Sequence, residues 1–208
     1  MCAEGAAAPS GPAGKHSFVA KVFVITGPSG VGKGTLIAEL CRHVPGLELS
    51  VSATTRPPRH GEVDGRDYHF LSSQEFDRRA RHGEFLEHAT YSGHRYGTLR
   101  PEVERRIAEG KSVLLEIEVQ GARQVRAAMA DAVLVFIAPP TPEALRERLR
   151  SRGTDSEEAI AERLRTAELE LDAMQEFQHV VVNDRIDRAA RDLEQIVRDE
   201  LSLESPRR

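Results

Sequence analysis

Cysteine is nearly absent: Cys2 and Cys41 are the only two in the sequence. Two are too few for a disulfide framework, and that usage fits a reducing, cytoplasmic compartment. Strong charge of one sign is lacking as well. The formal net charge is −4, so no global field gathers nucleic acid, and any anion site has to be a local cluster of arginines. No apolar run approaches the roughly 20 residues that span a bilayer, so no membrane partner is expected. Residues 1–16 contain no arginine and no continuous apolar block, unlike a transit peptide or a secretory signal. Their Ala, Gly, Pro and Ser content predicts a disordered tail over 1–17. No internal repeat is visible. What remains is 208 residues, 39% hydrophobic and 30% charged, which suits one large domain or one core with insertions.

The stretch that organises the chain is Gly27-Pro28-Ser29-Gly30-Val31-Gly32-Lys33-Gly34-Thr35, directly behind an apolar β-type run over 19–26. A strand that enters a glycine-rich turn and then a helical pattern is the setting of a phosphate-binding loop. Glycines let several backbone N–H groups wrap a diphosphate with no Cβ in the way. The helix that follows aims its free N–H groups and positive dipole end at the same anion, and Lys33 adds a mobile charge for the β- and γ-phosphates. The ending Gly-Lys-Gly-Thr departs from the usual Gly-Lys-Ser/Thr. It resembles nucleoside monophosphate kinases, in which water completes a magnesium shell without a directly ligating hydroxyl.

A helix over 35–44 follows, with Cys41 packed beside its apolar face, and Pro45-Gly46 ends it. A short β-type run from Leu49 then breaks at Arg56-Pro57-Pro58-Arg59. Two arginines three residues apart in a proline-stiffened turn suggest a second phosphate clamp, because a guanidinium fork matches phosphate oxygens two at a time. Asp64-Gly65 turns the chain into another short strand. Together the loop and the block Ser50-Val51-Ser52-Ala53-Thr54-Thr55-Arg56-Pro57-Pro58-Arg59, with Gly61-Glu62-Val63-Asp64-Gly65, Asp67-Tyr68 and Phe70, resemble guanylate kinase, the bacterial enzymes in particular. The second block is long and hardly shared outside that family.

The resemblance implies transfer of the γ-phosphoryl group of ATP to GMP, and also to dGMP, with magnesium as cofactor. It assigns the monophosphate of GMP to Arg56, Arg59, Tyr68 and Tyr96, places Glu62 in the same site, and gives the base to Ser52, Glu87 and Thr98. Chemistry agrees for Glu87: guanine presents two adjacent donors that one carboxylate can accept, whereas adenine presents an acceptor at the ring position. The lid arginines would be Arg152 and Arg163, which close on the transferring phosphoryl group, and the adenine side would be Asn183 and Asp184. Catalysis would rest on Lys33, Arg59, Arg152 and Arg163. Glu116 and Glu118 lie where many relatives carry Asp-Ile-Asp; one would contact guanosine and the other orient magnesium through water, and which does which is open at this stage. Thr35 is a further candidate for water-mediated magnesium.

The remaining pattern predicts helices over 72–81 (capping box Ser72 to Glu75), 101–110, 122–129 and 186–201, and strands over 84–88, 91–98, 112–121, 132–138 and 180–182. On the strand over 112–121, Glu116 and Glu118 share a face. An arginine-rich helix from Thr141-Pro142 ends at Gly153, and a capping box Thr154 to Glu157 opens a long amphipathic one. His69 and His88, with no second ligand at sensible spacing, read as structural. This order argues an α/β fold, a parallel-sheet core with helices on both faces. The expected division is a core over 18–48, 99–140 and 169–201, an inserted β-rich GMP lobe over 49–98, a helical lid over 141–168, and a polar tail over 202–208. Two other readings stand beside this one: a non-catalytic module that binds phosphorylated peptides, against which the loop glycines and Lys33 argue, and a small-molecule kinase with the same loop and another acceptor, against which Glu87 and the Ser52 and Thr98 hydroxyls argue.

Overall fold

The computed structural model describes residues 19–91, 93–151 and 156–202. The expected tail over 1–17, Arg152, Gly153 and the Thr154 cap lie outside the described residues, as does the expected tail over 202–208 apart from Ser202, which is the last residue of a helix.

A five-stranded parallel sheet forms the core, in the order β2 (Leu47–Leu49), β7 (Ser112–Glu116), β1 (Val22–Thr26), β8 (Val133–Ala138), β9 (His179–Val182). Its central strands are apolar without interruption because both faces are covered. Phe23 and Ile25 point to one side with Leu114, Val135 and Ile137. There they meet α1 (Lys33–His43), α5 (Pro142–Ser151), α6 (Glu157–Asp172) and α7 (Ile186–Ser202) through Leu36, Leu149, Ile160 and Leu193. Val22 and Val24 point to the other side with Leu115 and Phe136, against Val103 of α3 (Arg100–Ala108) and Ala122 and Val125 of α4 (Val119–Ala128). Cys41 is half-buried against the first cluster, and burial raises its thiol pKa.

A second, four-stranded sheet, in the order β4 (His69–Phe70), β3 (Ala53–Thr54), β6 (His94–Leu99), β5 (Phe85–Tyr91), carries α2 (Ser73–Arg81) over a small core of Ala53, Phe76, Phe85 and Leu99. The Ser72 hydroxyl accepts from the Glu75 amide and so caps α2 as expected.

Three expectations change. The β-type run beginning at Leu49 is two strands in two sheets: β2 ends at Leu49 in the core, and β3 starts at Ala53 in the lobe. The strand expected over 112–121 stops at Glu116, and Glu118 is already the N-cap of α4. Apolar residues continue through both elements, and a buried helix start cannot be told from a buried strand by periodicity alone. Finally, Ser156 caps α6 by accepting from the Ala159 amide, two residues later than the expected capping box.

Candidate active site

The loop between β1 and α1 lies at the carboxyl end of the parallel strands, where ligands of open α/β sheets bind. Two glycines are there for stated reasons. A Cβ on Gly27 would lie 2.2 Å from the Ile137 carbonyl oxygen, so only glycine lets the loop pass β8 this closely. Gly32 is the N-cap of α1 in the left-handed conformation (φ 101°), with Asn183 Nδ2 2.6 Å from where its Cβ would be. No side chain among the described residues caps α1, which leaves its first amides for an anion. The Lys33 ammonium donates to the Gly27 and Pro28 carbonyls at 2.6 and 3.2 Å. The loop is fastened from behind: Asn183 Nδ2 donates to the Val31 carbonyl at 2.8 Å, and Arg148 bridges the Val31 and Asn183 carbonyls.

In front of the loop opens a cleft of about 920 Å³. Gly27, Ser29 and Lys33 line one end; Ser52, Tyr68, Glu87 and Tyr96 line the other; Glu116 and Glu118 lie between, with Arg163 on the α6 wall. The structure thus brings together residues from the loop, the lobe, β7, the start of α4 and α6.

Glu87 is 5% exposed. A bulge places it: the register of β5 on β6 shifts between Phe85 and Glu87, so that Glu87 faces Thr98. Three successive residues are thereby sent to three places. Phe85 enters the lobe core, Leu86 the central core, and Glu87 the cleft. The Thr98 hydroxyl donates to Glu87 Oε1 at 2.8 Å. Burial raises the carboxyl's pKa; hydrogen bonds from the Thr98 side chain and backbone oppose that shift, and the Glu118 charge adds to it. A buried carboxylate with unfilled acceptor capacity suits a ligand that brings two donors.

Other expected residues sit differently. Arg56 is almost buried; it donates to Glu62 at 2.8 Å and to the Pro57 carbonyl, and lies 5.2 Å over the Tyr68 ring. Arg59 lies outside the cleft lining, and its amide donates to Glu62 Oε2 at 2.7 Å, so Glu62 holds both ends of the arginine turn. Gly30, Val31, Gly34 and Thr35 do not line the cleft. Asn183 is buried behind the loop, and Asp184 pairs with Arg188 on the surface. His69 pairs with Glu102 and His88 packs on Phe76 and Phe85, both structural contacts.

Among the cleft residues that carry no expectation in the sequence is Glu170, seven positions after Arg163 and so on the same face of α6. That spacing was the available signal. Burial pushes its carboxyl up to about 7, the Lys33 ammonium pulls against this, and the Glu118 charge adds to it. A raised folded pKa means the native state keeps a proton that the unfolded chain releases. Stability therefore falls as pH rises from about 4.5 to about 7 and stays reduced above. In nucleotide-free protein, Glu170→Gln is expected to be more stable than the parent at pH 8 by about 1–3 kcal/mol and nearly equal at pH 4. Urea unfolding at the two pH values checks this; equal stability at pH 8 would mean that Lys33 compensates the charge.

The guanylate kinase family profile matches residues 19–200. A guanylate kinase of Synechocystis is 52% identical over 184 residues, covering 88% of this chain and 96% of the relative. A guanylate kinase of Frankia casuarinae is 54% identical over 167 residues, covering 80% and 91%. The crystal structure of guanylate kinase from Anaplasma phagocytophilum superposes with a TM-score of 0.71 at 33% identity, over 90% of this chain and 89% of that one. Relatives thus match the chain along nearly their whole length, and it belongs to the guanylate kinase family.

Proposed function

We propose that the cleft holds ATP at the loop end and GMP at the lobe end. The family's reaction, ATP plus GMP to ADP plus GDP, then proceeds between them, with dGMP as a second acceptor. The observation that carries this reading is the buried Glu87, opening on the same cleft as Lys33. Little covalent chemistry is asked of the protein. It aligns two anionic nucleotides in line and offsets charge spreading over the moving phosphoryl group. Lys33 and the lid arginines Arg152 and Arg163 do this on the donor side. Arg56, Arg59, Tyr68 and Tyr96 hold the acceptor phosphate, Glu62 fixes the two arginines, and Ser52, Glu87 and Thr98 read the base. The attacking oxygen of GMP is already anionic, so no general base is required. Asn183 serves the donor site through the Val31 carbonyl.

Glu116 or Glu118 would hold, through water, the magnesium that arrives with ATP, and the ion would supply neutralisation of part of the phosphate charge. The residues present fit such an ion. Glu116 and Glu118 offer hard oxygen donors in the cleft beside Lys33, while among the described residues no group of three or more His, Cys, Asp or Glu forms a metal cage. Contact through water is the arrangement that the family resemblance implies. Glu118, whose pKa burial raises and the nearby Lys33 charge lowers, and Glu116 are the two candidates, one for the water shell of the ion and the other for guanosine. No helix among the described residues is long and apolar enough to cross a membrane.

A coupled ADP-release assay with GMP, dGMP, AMP or no acceptor tests the reading. GMP and dGMP should support turnover and AMP should not. Turnover with AMP equal to that with GMP would refute a guanine-specific lobe, and ADP release without acceptor would show that water is admitted.

A further inference from the structure

Helix α4 belongs to the core, yet it touches the lobe next to the base-reading carboxylate, and two of its residues do so in ways that packing alone does not require. Gly121 is the third residue of the helix. Its backbone is outside the left-handed region, so nothing in its conformation calls for glycine, and alanine is the better helix former at such a position. What calls for glycine is Glu87. A Cβ at 121 would lie 2.7 Å from Glu87 Oε2 and 3.3 Å from its carboxyl carbon. One turn on, the Gln124 side chain meets the neighbouring residue of β5 as a strand would: Oε1 accepts from the His88 amide at 3.1 Å, and Nε2 donates to the His88 carbonyl at 2.9 Å. Beside these two, Ala122 and Val125 belong to the same buried cluster as Leu86.

We propose that Gly121 and Gln124 are specificity-positioning residues of the guanine site. Gly121 leaves the space into which the Glu87 carboxylate reaches, and Gln124 locks the strand that carries it. The carboxylate is thus held from two sides, by the Thr98 hydroxyl on Oε1 and by the bare helix surface against Oε2. Accepting two donors at once needs the plane of the carboxylate set before the base arrives, whereas a single donor tolerates a tilt. The inference rests on the reading of Glu87 as the guanine reader and adds what aims it.

The test compares GMP with inosine monophosphate, which keeps the ring N–H and lacks the amino group. Steady-state kinetics with both acceptors are measured for the parent, Gly121→Ala, Gln124→Leu and Glu87→Gln, with a melting temperature for each. Gly121→Ala should lower kcat/KM for GMP by about tenfold or more, chiefly through KM, and lower that for inosine monophosphate less, so that the preference between them shrinks. The Michaelis constant for ATP should stay within about twofold, and the melting temperature should not fall, because alanine favours the helix. Gln124→Leu should act in the same direction with a smaller amplitude. A purely structural glycine would instead lower the melting temperature and both acceptors' kcat/KM together, and that result overturns the proposal. If Glu87→Gln erases the preference while Gly121→Ala and Gln124→Leu keep it, the positioning role falls and the reading of Glu87 stands. If Glu87→Gln keeps the preference, the reading of Glu87 falls first and the positioning role with it. Should Gly121→Ala fail to fold, Gln124→Leu decides alone, a retained preference counting against the proposal.

Discussion

Lys33→Ala is expected to lower kcat by roughly 100- to 1000-fold or more, the usual scale for removing one electrostatic stabiliser of a transition state. Charge develops on the γ-phosphoryl group only during transfer, so a cation aimed there contributes to kcat more than to ground-state binding. The Lys33 ammonium lies on the Gly27 and Pro28 carbonyls, at the loop end of the cleft. Ser52, Tyr68, Glu87 and Tyr96, the residues proposed to hold the acceptor, line the cleft from other segments of the chain. GMP affinity measured by calorimetry should therefore change little in the same variant. Near-parental kcat would sink the assignment of the loop, and loss of GMP binding would show that the two ends of the cleft are not separable.

Glu87→Gln should weaken GMP by about 2–4 kcal/mol, read as a rise in its Michaelis constant, because one good hydrogen bond is lost and a buried donor is left unpaired. The new amide would point a donor at guanine's amino group. GMP and dGMP should suffer alike, since the carboxylate reads the base and not the sugar. The Michaelis constant for ATP should hardly move. Steady-state kinetics varying each nucleotide in turn decide this. An unaltered GMP constant would mean that the base is read elsewhere, with Glu116 and Glu118 the next residues to replace.

The loop and the arginine turn are legible because each needs a local pattern, glycines before a helix and a proline pair between guanidinium groups. The long apolar strands β1 and β8 are legible for the same reason, their patterns being continuous. Glu87 has no such pattern and is singled out only through the resemblance to a known family. What was not legible depends on contacts distant in sequence. The bulge at Phe85–Glu87 shows only in the pairing with β6, and the division of the run near Leu49 shows only when two sheets exist to claim its halves. The cleft-facing role of Glu170 needed the rotation of α6, and the space at Gly121 needed the approach of a carboxylate from residue 87. The hold of the Asn183 side chain on the loop is likewise a relation across the 152 positions that separate it from Val31.

The lobe leaves the core between Leu49 and Ala53 and returns at Leu99, where β6 runs straight into α3. Arg106 of that helix reaches back to the Leu49 carbonyl and to Glu48, so the two tethers are tied together at the core surface. In evolutionary terms, a segment with neighbouring ends can be exchanged between relatives as a cassette, and acceptor preference would travel with it. The seat of Glu87 on α4 sets the limit of that modularity. A transplanted lobe would bring its own reader but would find the recipient's residues at 121 and 124, so lineages that change their acceptor base should change the lobe and one face of this helix in step.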